Sequence, residues 1–156
     1  MDIHLKISVP VYLKKFLQVQ FGNSYTVKQT DWFGILLVGQ LQKKSSAYYS
    51  YKKASNDIAV NSYDIIIPSH SAFKNWLFLI KQNENKLINA VDDIFRKQIY
   101  YQAIFNQIHY NIEYQTTIKN ILESYGIEED ELQYETLRKD FSRNKTEIEK
   151  KINELP

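Results

Sequence analysis

The sequence predicts a mostly helical α+β protein, and three observations lead to this prediction. An extended run closed by a proline occurs twice, at residues 3–10 and 60–68, and an apolar helical pattern follows each copy. Residues 112–156 show only helical spacing. Hydrophobic residues make up 44% of the 156 residues, enough for a folded core. We therefore expect two similar repeats that pair a short two-stranded antiparallel ribbon, followed by a C-terminal helical extension.

The first predicted repeat, residues 3–44, begins with a strand. Apolar and polar residues alternate with a period of two from Ile3 to Val9, as expected for a strand with one buried face. Pro10 ends this strand, and a helical face follows from Val11 until Gly22, where a C-terminal cap is expected. The opposite face of the strand carries three polar side chains, those of His4, Lys6 and Ser8.

A second helix is predicted within the same repeat. Residues 24–29 form a short extended link, after which Thr30 or Asp31 can cap the helix. Gly34 and Gly39 lower its helix propensity, which indicates close packing at both positions.

The second predicted repeat, residues 60–101, follows a polar, tyrosine-rich linker at residues 45–57. A constant shift along the chain superimposes the two strand-proline runs, and a gap of two residues then superimposes the two helices. The matched pairs are Ile7 with Ile65, Val9 with Ile67, Pro10 with Pro68 and Phe16 with Trp76. Chance similarity of two short hydrophobic patterns is the alternative explanation.

If the two runs are strands of one ribbon, residues 3–9 pair antiparallel with residues 61–67, and Lys6 can pair with Asp64 across the strands. We expect a turn at residues 81–84. A helix then follows from Asn85, and its apolar face continues through Ile99 and Ile104 as far as Ile108. The first part of this face consists of Leu87, Ile88, Val91, Ile94 and Phe95.

The C-terminal extension, residues 112–156, is predicted to begin with a helix over residues 114–125 that Gly126 closes. Acidic residues at 128–131 suit the N-terminus of a following helix. That last helix is amphipathic and reaches the end of the chain, with a break predicted near residues 142–144. We place the domain boundary between residues 111 and 112.

Composition excludes several classes of function. The chain has no cysteine, which removes disulfides, thiol nucleophiles and thiolate metal sites. Its three histidines are far apart, and its four glycines form no phosphate-binding loop. No apolar run approaches the length of a membrane span. We therefore expect a cytoplasmic, non-enzymatic protein without cofactor or metal, and the net charge of +2 alone does not indicate nucleic-acid binding.

Strand, proline, helix, turn and helix is the order found in the ribbon-helix-helix DNA-binding proteins, which residues 5–41, and more loosely residues 63–99, resemble. In that family the outward strand side chains read bases in the major groove, and the second helix sets its N-terminus against phosphate. The resemblance implies base contacts by His4, Lys6 and Ser8. In the second copy it implies contacts by Ser62, Asp64 and Ile66, a set that fits base reading poorly.

Residues 118–127 and 134–141 resemble a helix-turn-helix, and also uncharacterised proteins of Bacteroidetes phages and mobile elements. In a helix-turn-helix the second helix enters the groove, so the resemblance implies DNA contacts by basic residues of the last helix. Those residues are Arg138, Lys139, Arg143 and Lys145. The acidic residues at 128–131 favour the alternative that these side chains form a solvated basic face.

The linker adds one more candidate nucleic-acid site. Aromatic and basic residues alternate there, as in sites that stack bases beside phosphate contacts, and the candidates are Tyr49, Tyr51, Lys52 and Lys53. Tyrosines that cover the core are the alternative.

These observations lead to two hypotheses about function. The first is a DNA-binding accessory or transcriptional regulatory protein of a phage or mobile element. The second is a protein-interaction module, such as an inhibitor or assembly factor, that displays its C-terminal helix to a protein partner. A continuous basic surface would favour DNA, whereas an exposed apolar stripe would favour a protein partner.

Overall fold

The computed structural model describes residues 1–41, 61–70 and 81–156. These residues form an α+β protein that is mostly helical. The chain divides into two compact units, unit 1 at Met1–Asp92 and unit 2 at Asp93–Pro156. The elements in chain order are β1 (Ile3–Ser8), α1 (Val11–Phe21), β2 (Ser24–Thr26), α2 (Trp32–Gln40), β3 (Ser62–Ile67), α3 (Lys81–Tyr110), α4 (Tyr114–Ser124) and α5 (Tyr134–Asn153). The division falls within α3, whereas the boundary predicted between residues 111 and 112 follows the end of that helix.

The described part of unit 1 contains one sheet with the strand order β1-β3-β2. Strands β1 and β3 pair antiparallel, with Lys6 opposite Asp64, which confirms the predicted pairing and register. The sheet is not a two-stranded ribbon, however, because β2 pairs parallel with the other edge of β3. The segment predicted as an extended link is therefore a third strand. It satisfies backbone groups of β3 that would otherwise remain an unpaired edge.

The inner face of this sheet forms the core of unit 1. Ile7 and Val9 are buried, and so are Ile65 and Ile67, as their alternation predicted. Tyr63 lies on the same face, and its hydroxyl donates to the carbonyl oxygen of Gly22 at 2.9 Å.

Helix α1 begins directly after Pro10 and buries its predicted face against this core, with Leu13, Phe16 and Leu17 fully enclosed. Helix α2 is capped by Asp31, one of the two predicted caps, whose carboxylate accepts from the Gly34 N–H at 2.8 Å. The prediction of close packing is confirmed at Gly34, where a Cβ would overlap the Lys28 carbonyl oxygen. It is wrong at Gly39, where a Cβ would meet nothing within 4 Å.

The turn predicted at residues 81–84 is wrong, because α3 runs through these positions. The polar side chains that favour a turn in the sequence hold the helix to other elements instead. The buried Glu84 accepts from the Ser8 N–H at 2.8 Å, and the Asn83 amide donates to the Gln40 carbonyl oxygen at 3.0 Å. The predicted apolar face of this helix is buried at Leu87, Val91 and Phe95. Ile88 and Ile94, predicted on the same face, are only partly buried. Trp76, the predicted partner of Phe16 in the second repeat, lies outside the described residues.

Unit 2 consists of the C-terminal part of α3 together with α4 and α5. Gly126 closes α4 in a left-handed conformation with φ of 67°, as predicted. The break predicted near residues 142–144 is wrong, since α5 is continuous from Tyr134 to Asn153. Ser142 and Asn144 donate back to the carbonyl oxygens of Arg138 and Asp140, so their side chains bond along the helix instead of interrupting it.

The core of unit 2 brings the three helices together through buried apolar side chains, and α3 also contributes a buried hydroxyl. The Tyr100 hydroxyl donates to the Asp140 carboxylate of α5, and Arg96 lies 3.6 Å from the same carboxylate. None of the helices within the described ranges is long and apolar enough to cross a bilayer.

Candidate functional site

The outer face of the sheet is the first candidate surface. It carries the three side chains that the sequence singles out on β1, namely His4, Lys6 and Ser8, and the structure places them along one strand on a face that α1 and α2 do not cover. Across from them on β3 lie Ser62, Asp64 and Ile66, and beyond β3 lie Ser24 and Thr26 of β2.

Charge on this face is largely balanced. The Lys6 ammonium lies 3.8 Å from the Asp64 carboxylate, its partner across the strands, and both side chains are at least half exposed. A phosphate or a base that approached Lys6 would compete with this carboxylate. The face therefore offers hydroxyl groups and an imidazole more than free positive charge.

The N-terminus of α2 is the second candidate surface, because the ribbon-helix-helix resemblance implies that it binds phosphate. In that family this helix end binds phosphate, but here the Asp31 carboxylate occupies it, since it accepts from the Gly34 N–H. The Tyr25 hydroxyl donates to the same carboxylate at 2.7 Å, and burial together with this hydrogen bond raises the pKa of Tyr25. A negative charge already fills the position that a phosphate would take.

The basic residues predicted on the last helix lie on α5, but two of the four are paired. Arg138 forms an ion pair with Glu135, and this hydrogen bond lowers the pKa of the Glu135 carboxyl. Lys145 lies 3.7 Å from the Glu149 carboxylate and above the Tyr114 ring at 4.6 Å.

Lys139 and Arg143, one turn apart on α5, are both exposed and form no ion pair with any described residue. They are the basic side chains of α5 that remain open to an anionic ligand. The four linker candidates, Tyr49, Tyr51, Lys52 and Lys53, lie outside the described residues.

Formal charge differs between the two units. Unit 1 has eleven basic and six acidic residues, a net charge of +5, whereas unit 2 has nine basic and twelve acidic residues, a net charge of −3. Since the nucleic-acid backbone is a polyanion, the charge of unit 2 disfavours the predicted DNA contacts of α5.

A different surface stands out in unit 2. The fifteen residues from Gln98 to Ile112 contain no Lys, Arg, Asp or Glu, although many of them are exposed. Five large apolar side chains here are exposed, and one of them is Tyr110 (65% exposed). The other four recur at a spacing of four, three and four residues, and we call them the apolar stripe. They are Tyr101 (40% exposed), Phe105 (44%) and Ile108 (51%) on α3, and Ile112 (38%) two residues after its end.

A groove of about 810 Å³ runs beside the apolar stripe. Phe95 and Ile99 of α3 form its floor, Ile121 of α4 and Ile152 of α5 contribute to its walls, and Tyr101 and Phe105 belong to both groove and stripe. Leu155, which is 71% exposed, borders the groove after the end of α5. The polar side chains that line the groove are amides, hydroxyls and one imidazole, those of Gln98, Gln102, Ser124, Tyr101, Tyr125 and His109.

The sequence prediction missed this surface, because the spacing of the apolar residues of α3 predicts one buried helical face. Val91 and Ile99 are indeed buried, but Ile108 is half exposed. The signal that distinguishes the two parts of the helix is charge. A buried helix face is usually flanked by charged residues that meet water, whereas residues 98–112 include no Lys, Arg, Asp or Glu.

No group of three or more His, Asp or Glu residues in the described ranges could hold a metal ion. The chain matches no protein-family model, no curated protein and no solved structure. Function therefore has to be argued from the two surfaces.

Proposed function

We propose that this protein is a non-enzymatic, cytoplasmic interaction module that binds an apolar helical segment of a partner protein through the apolar stripe and its groove. The observation that carries the proposal is the exposed, charge-free surface between Gln98 and Ile112. Contiguous exposed apolar surface of this kind is rare on proteins that act alone, since leaving it in water costs free energy.

The spacing of the stripe supports a helix as the partner element. Tyr101, Phe105 and Ile108 recur after four and then three residues and so lie along one line of α3, as in a seam against which a second helix packs. The adjoining groove offers room for the side chains that such a helix inserts. Our sequence-based expectation placed the partner on the C-terminal helix, whereas the apolar surface lies mainly on α3.

The residue types of the stripe also match the centre of a protein interface. Aromatic residues are enriched and charged residues are depleted where an interface is fully buried. Tyr101 and Phe105 are the anchors we expect, because each combines a large apolar area with few rotatable bonds.

A photo-crosslinking amino acid tests this proposal. The reactive group is placed at Phe105 in one protein and, as a matched control, at Ile35, an exposed apolar residue of α2 in unit 1. After irradiation in an extract of the source cells, we expect a discrete protein adduct from position 105 and none from position 35. The same adduct pattern from both positions, or no adduct at 105, would contradict the proposal.

DNA binding is a second candidate, favoured by a specific observation in unit 1. Pairing of β1 with β3 in the expected register places His4, Lys6 and Ser8 on one outward face of a unit with a net charge of +5. Under this alternative the chain carries two ribbon-helix-helix-like repeats and acts as an accessory or regulatory protein of a phage or mobile element. The acidic cap of α2 and the pairing of Lys6 with Asp64 oppose it.

A salt series separates the two candidates. Each phosphate that a basic side chain neutralises contributes a slope of about −0.9 in log affinity against log salt for duplex DNA. If DNA binds the sheet face of unit 1, Lys6→Gln changes the preference at particular bases. If α5 contacts phosphate as well, replacing Arg138, Lys139 and Arg143 together by glutamine weakens binding to all sequences. Absence of salt-sensitive retention on duplex and single strands at low ionic strength would exclude this candidate.

A further inference from the structure

We infer that docking to the apolar stripe and its groove is regulated by pH, because His109 has to be uncharged when an apolar helix covers it. This inference rests on the proposed function and adds the regulation of that same surface. Three observations lead to it. They concern the titratable groups of the groove, the position of His109 beside Phe105 and the charged residues around the groove.

The first observation concerns the titratable groups that line the groove. Among the described residues these groups are the imidazole of His109 and the phenols of Tyr101 and Tyr125, and no Lys, Arg, Asp or Glu is among them. Histidine is the side chain whose charge ordinarily changes between about pH 5 and about pH 8, whereas a phenol loses its proton only in alkaline solution. His109 is therefore the group through which the charge of the groove changes near neutral pH.

The second observation is the position of His109 against an anchor of the stripe. His109 lies one turn after Phe105 in the last turn of α3, and the centroids of the two rings are 4.4 Å apart. A helix that packs on Phe105 therefore also approaches the imidazole. The His109 side chain is exposed, so a charge on it is in contact with water until docking removes that contact.

The third observation is that the surroundings offer no partner to a protonated His109. His109 forms no ion pair with any described residue. The nearby cations Lys97 of α3 and Lys151 of α5 are each paired with a carboxylate at 2.7 Å. Glu113 follows the end of α3 and does not line the groove, and the residues that α4 contributes to the groove are uncharged near neutral pH.

Protonation of His109 and docking of an apolar helix therefore oppose each other. A charge that apolar side chains cover without a partner is costly, and an imidazole avoids this cost by losing its proton. Since docking selects the neutral ring, affinity is complete in mildly alkaline solution and falls as the pH drops through the range in which histidine titrates. A partner helix with a carboxylate opposite His109 would instead bind more tightly in acid.

Photo-crosslinking at two pH values tests the inference in the full chain. The reactive group is placed at Ile108 of the stripe, which leaves the rings of Phe105 and His109 in place. In an extract of the source cells, we expect the yield of the protein adduct to be several-fold lower at about pH 5.5 than at about pH 8. A yield that is higher in acid would overturn the inference.

Three histidine variants separate the imidazole from other effects of pH. His109→Gln stays uncharged, so its yield should be equal at the two pH values, and His109→Arg is always charged and should give a low yield at both. His4→Gln changes an exposed histidine of β1 in unit 1 and is the matched control, which should keep the original pH dependence. A loss of yield in acid by His109→Gln, or an undiminished yield from His109→Arg, would overturn the inference.

The adducts also distinguish failure of this inference from failure of the proposed function. An adduct from position 108 whose yield is the same at both pH values overturns the inference and leaves the proposed function standing. Absence of any adduct from positions 105 and 108 at either pH overturns both.

Discussion

The two units leave apolar side chains exposed in different ways, and this difference is the most informative property of the molecule. In unit 1, Val19 and Ile35 are each 60% exposed, one on α1 and the other on α2. In unit 2, exposed apolar side chains follow one another along α3, and two of them, Tyr101 and Phe105, line a groove. Isolated exposed apolar residues are common on protein surfaces, whereas a contiguous set marks an interface.

The two units also differ in where their charged side chains lie. The open sheet face of unit 1 contains hydroxyl groups, an imidazole and one ion pair across the strands. Unit 2 carries ion pairs along the outer side of α5 and none on the exposed surface of α3 after Lys97 among the described residues. Charged residues thus cover the helix that meets water and are missing from the helix that we propose meets protein.

The largest effect should come from the core of unit 1. Phe16 is fully buried, so Phe16→Ala should lower the free energy of unfolding by roughly 3–5 kcal/mol. Val19→Ala on the same helix should change it by less than about 0.5 kcal/mol, because Val19 is mostly exposed. Urea denaturation measures both. A loss below about 1 kcal/mol for Phe16→Ala would show that the core face of α1 is assigned wrongly.

The next prediction compares the stability that is lost when a buried polar contact in unit 2 and an exposed one in unit 1 are removed. Tyr100→Phe removes a hydroxyl that donates to the Asp140 carboxylate, which should cost about 1.5–3 kcal/mol. Lys6→Gln breaks an exposed ion pair and should cost less than about 1 kcal/mol. The comparison fails if the two variants lose the same stability in parallel denaturation experiments.

Two glycines of α2 give a smaller pair of effects with opposite signs. Gly34→Ala places a methyl group against the Lys28 carbonyl oxygen and 2.5 Å from the Tyr25 hydroxyl, so it should destabilise by about 1–3 kcal/mol. Gly39→Ala meets no atom within 4 Å and should stabilise by about 0.5–1 kcal/mol through helix propensity. Thermal unfolding of the two variants checks the signs, and destabilisation by both would show that α2 packs differently.

Ionisation of two buried tyrosines should leave the free energy of unfolding unchanged near neutral pH and lower it in alkaline solution. Burial raises the pKa of Tyr63 from 10.0 to about 12, and burial with the bond to Asp140 raises the pKa of Tyr100. Since the folded-state pKa is raised, this stability is complete below pH 10 and is lost as pH rises through about 12. Denaturation midpoints should therefore fall above pH 10. Unchanged midpoints up to pH 12 would contradict the burial of these hydroxyls.

Those parts of the fold that depend on local pattern could be predicted from the sequence. The alternation before Pro10 determines which face of β1 is buried, and a second run of the same kind fixes its antiparallel partner. The cap at Gly126 and an N-cap at Thr30 or Asp31 could be predicted because a left-handed cap and an N-cap each require particular residue types.

The remaining parts depend on partners that are distant in sequence. β2 has three residues and one buried side chain, Tyr25, too little for a period to be visible. The sequence alone predicts a turn at Glu84, because its hydrogen-bond partner, the Ser8 N–H, is distant in sequence. The candidate site was missed for a related reason: periodicity separates apolar from polar faces but does not show whether an apolar face is covered.

The central claim is that the apolar stripe of unit 2, and not exposed apolar residues in general, is a contact surface for protein. Photo-crosslinking from position 105, with position 35 as the matched control, tests it most directly. We predict a discrete protein adduct from position 105 and none from position 35. No adduct from position 105, or the same adducts from both positions, would contradict this account of unit 2.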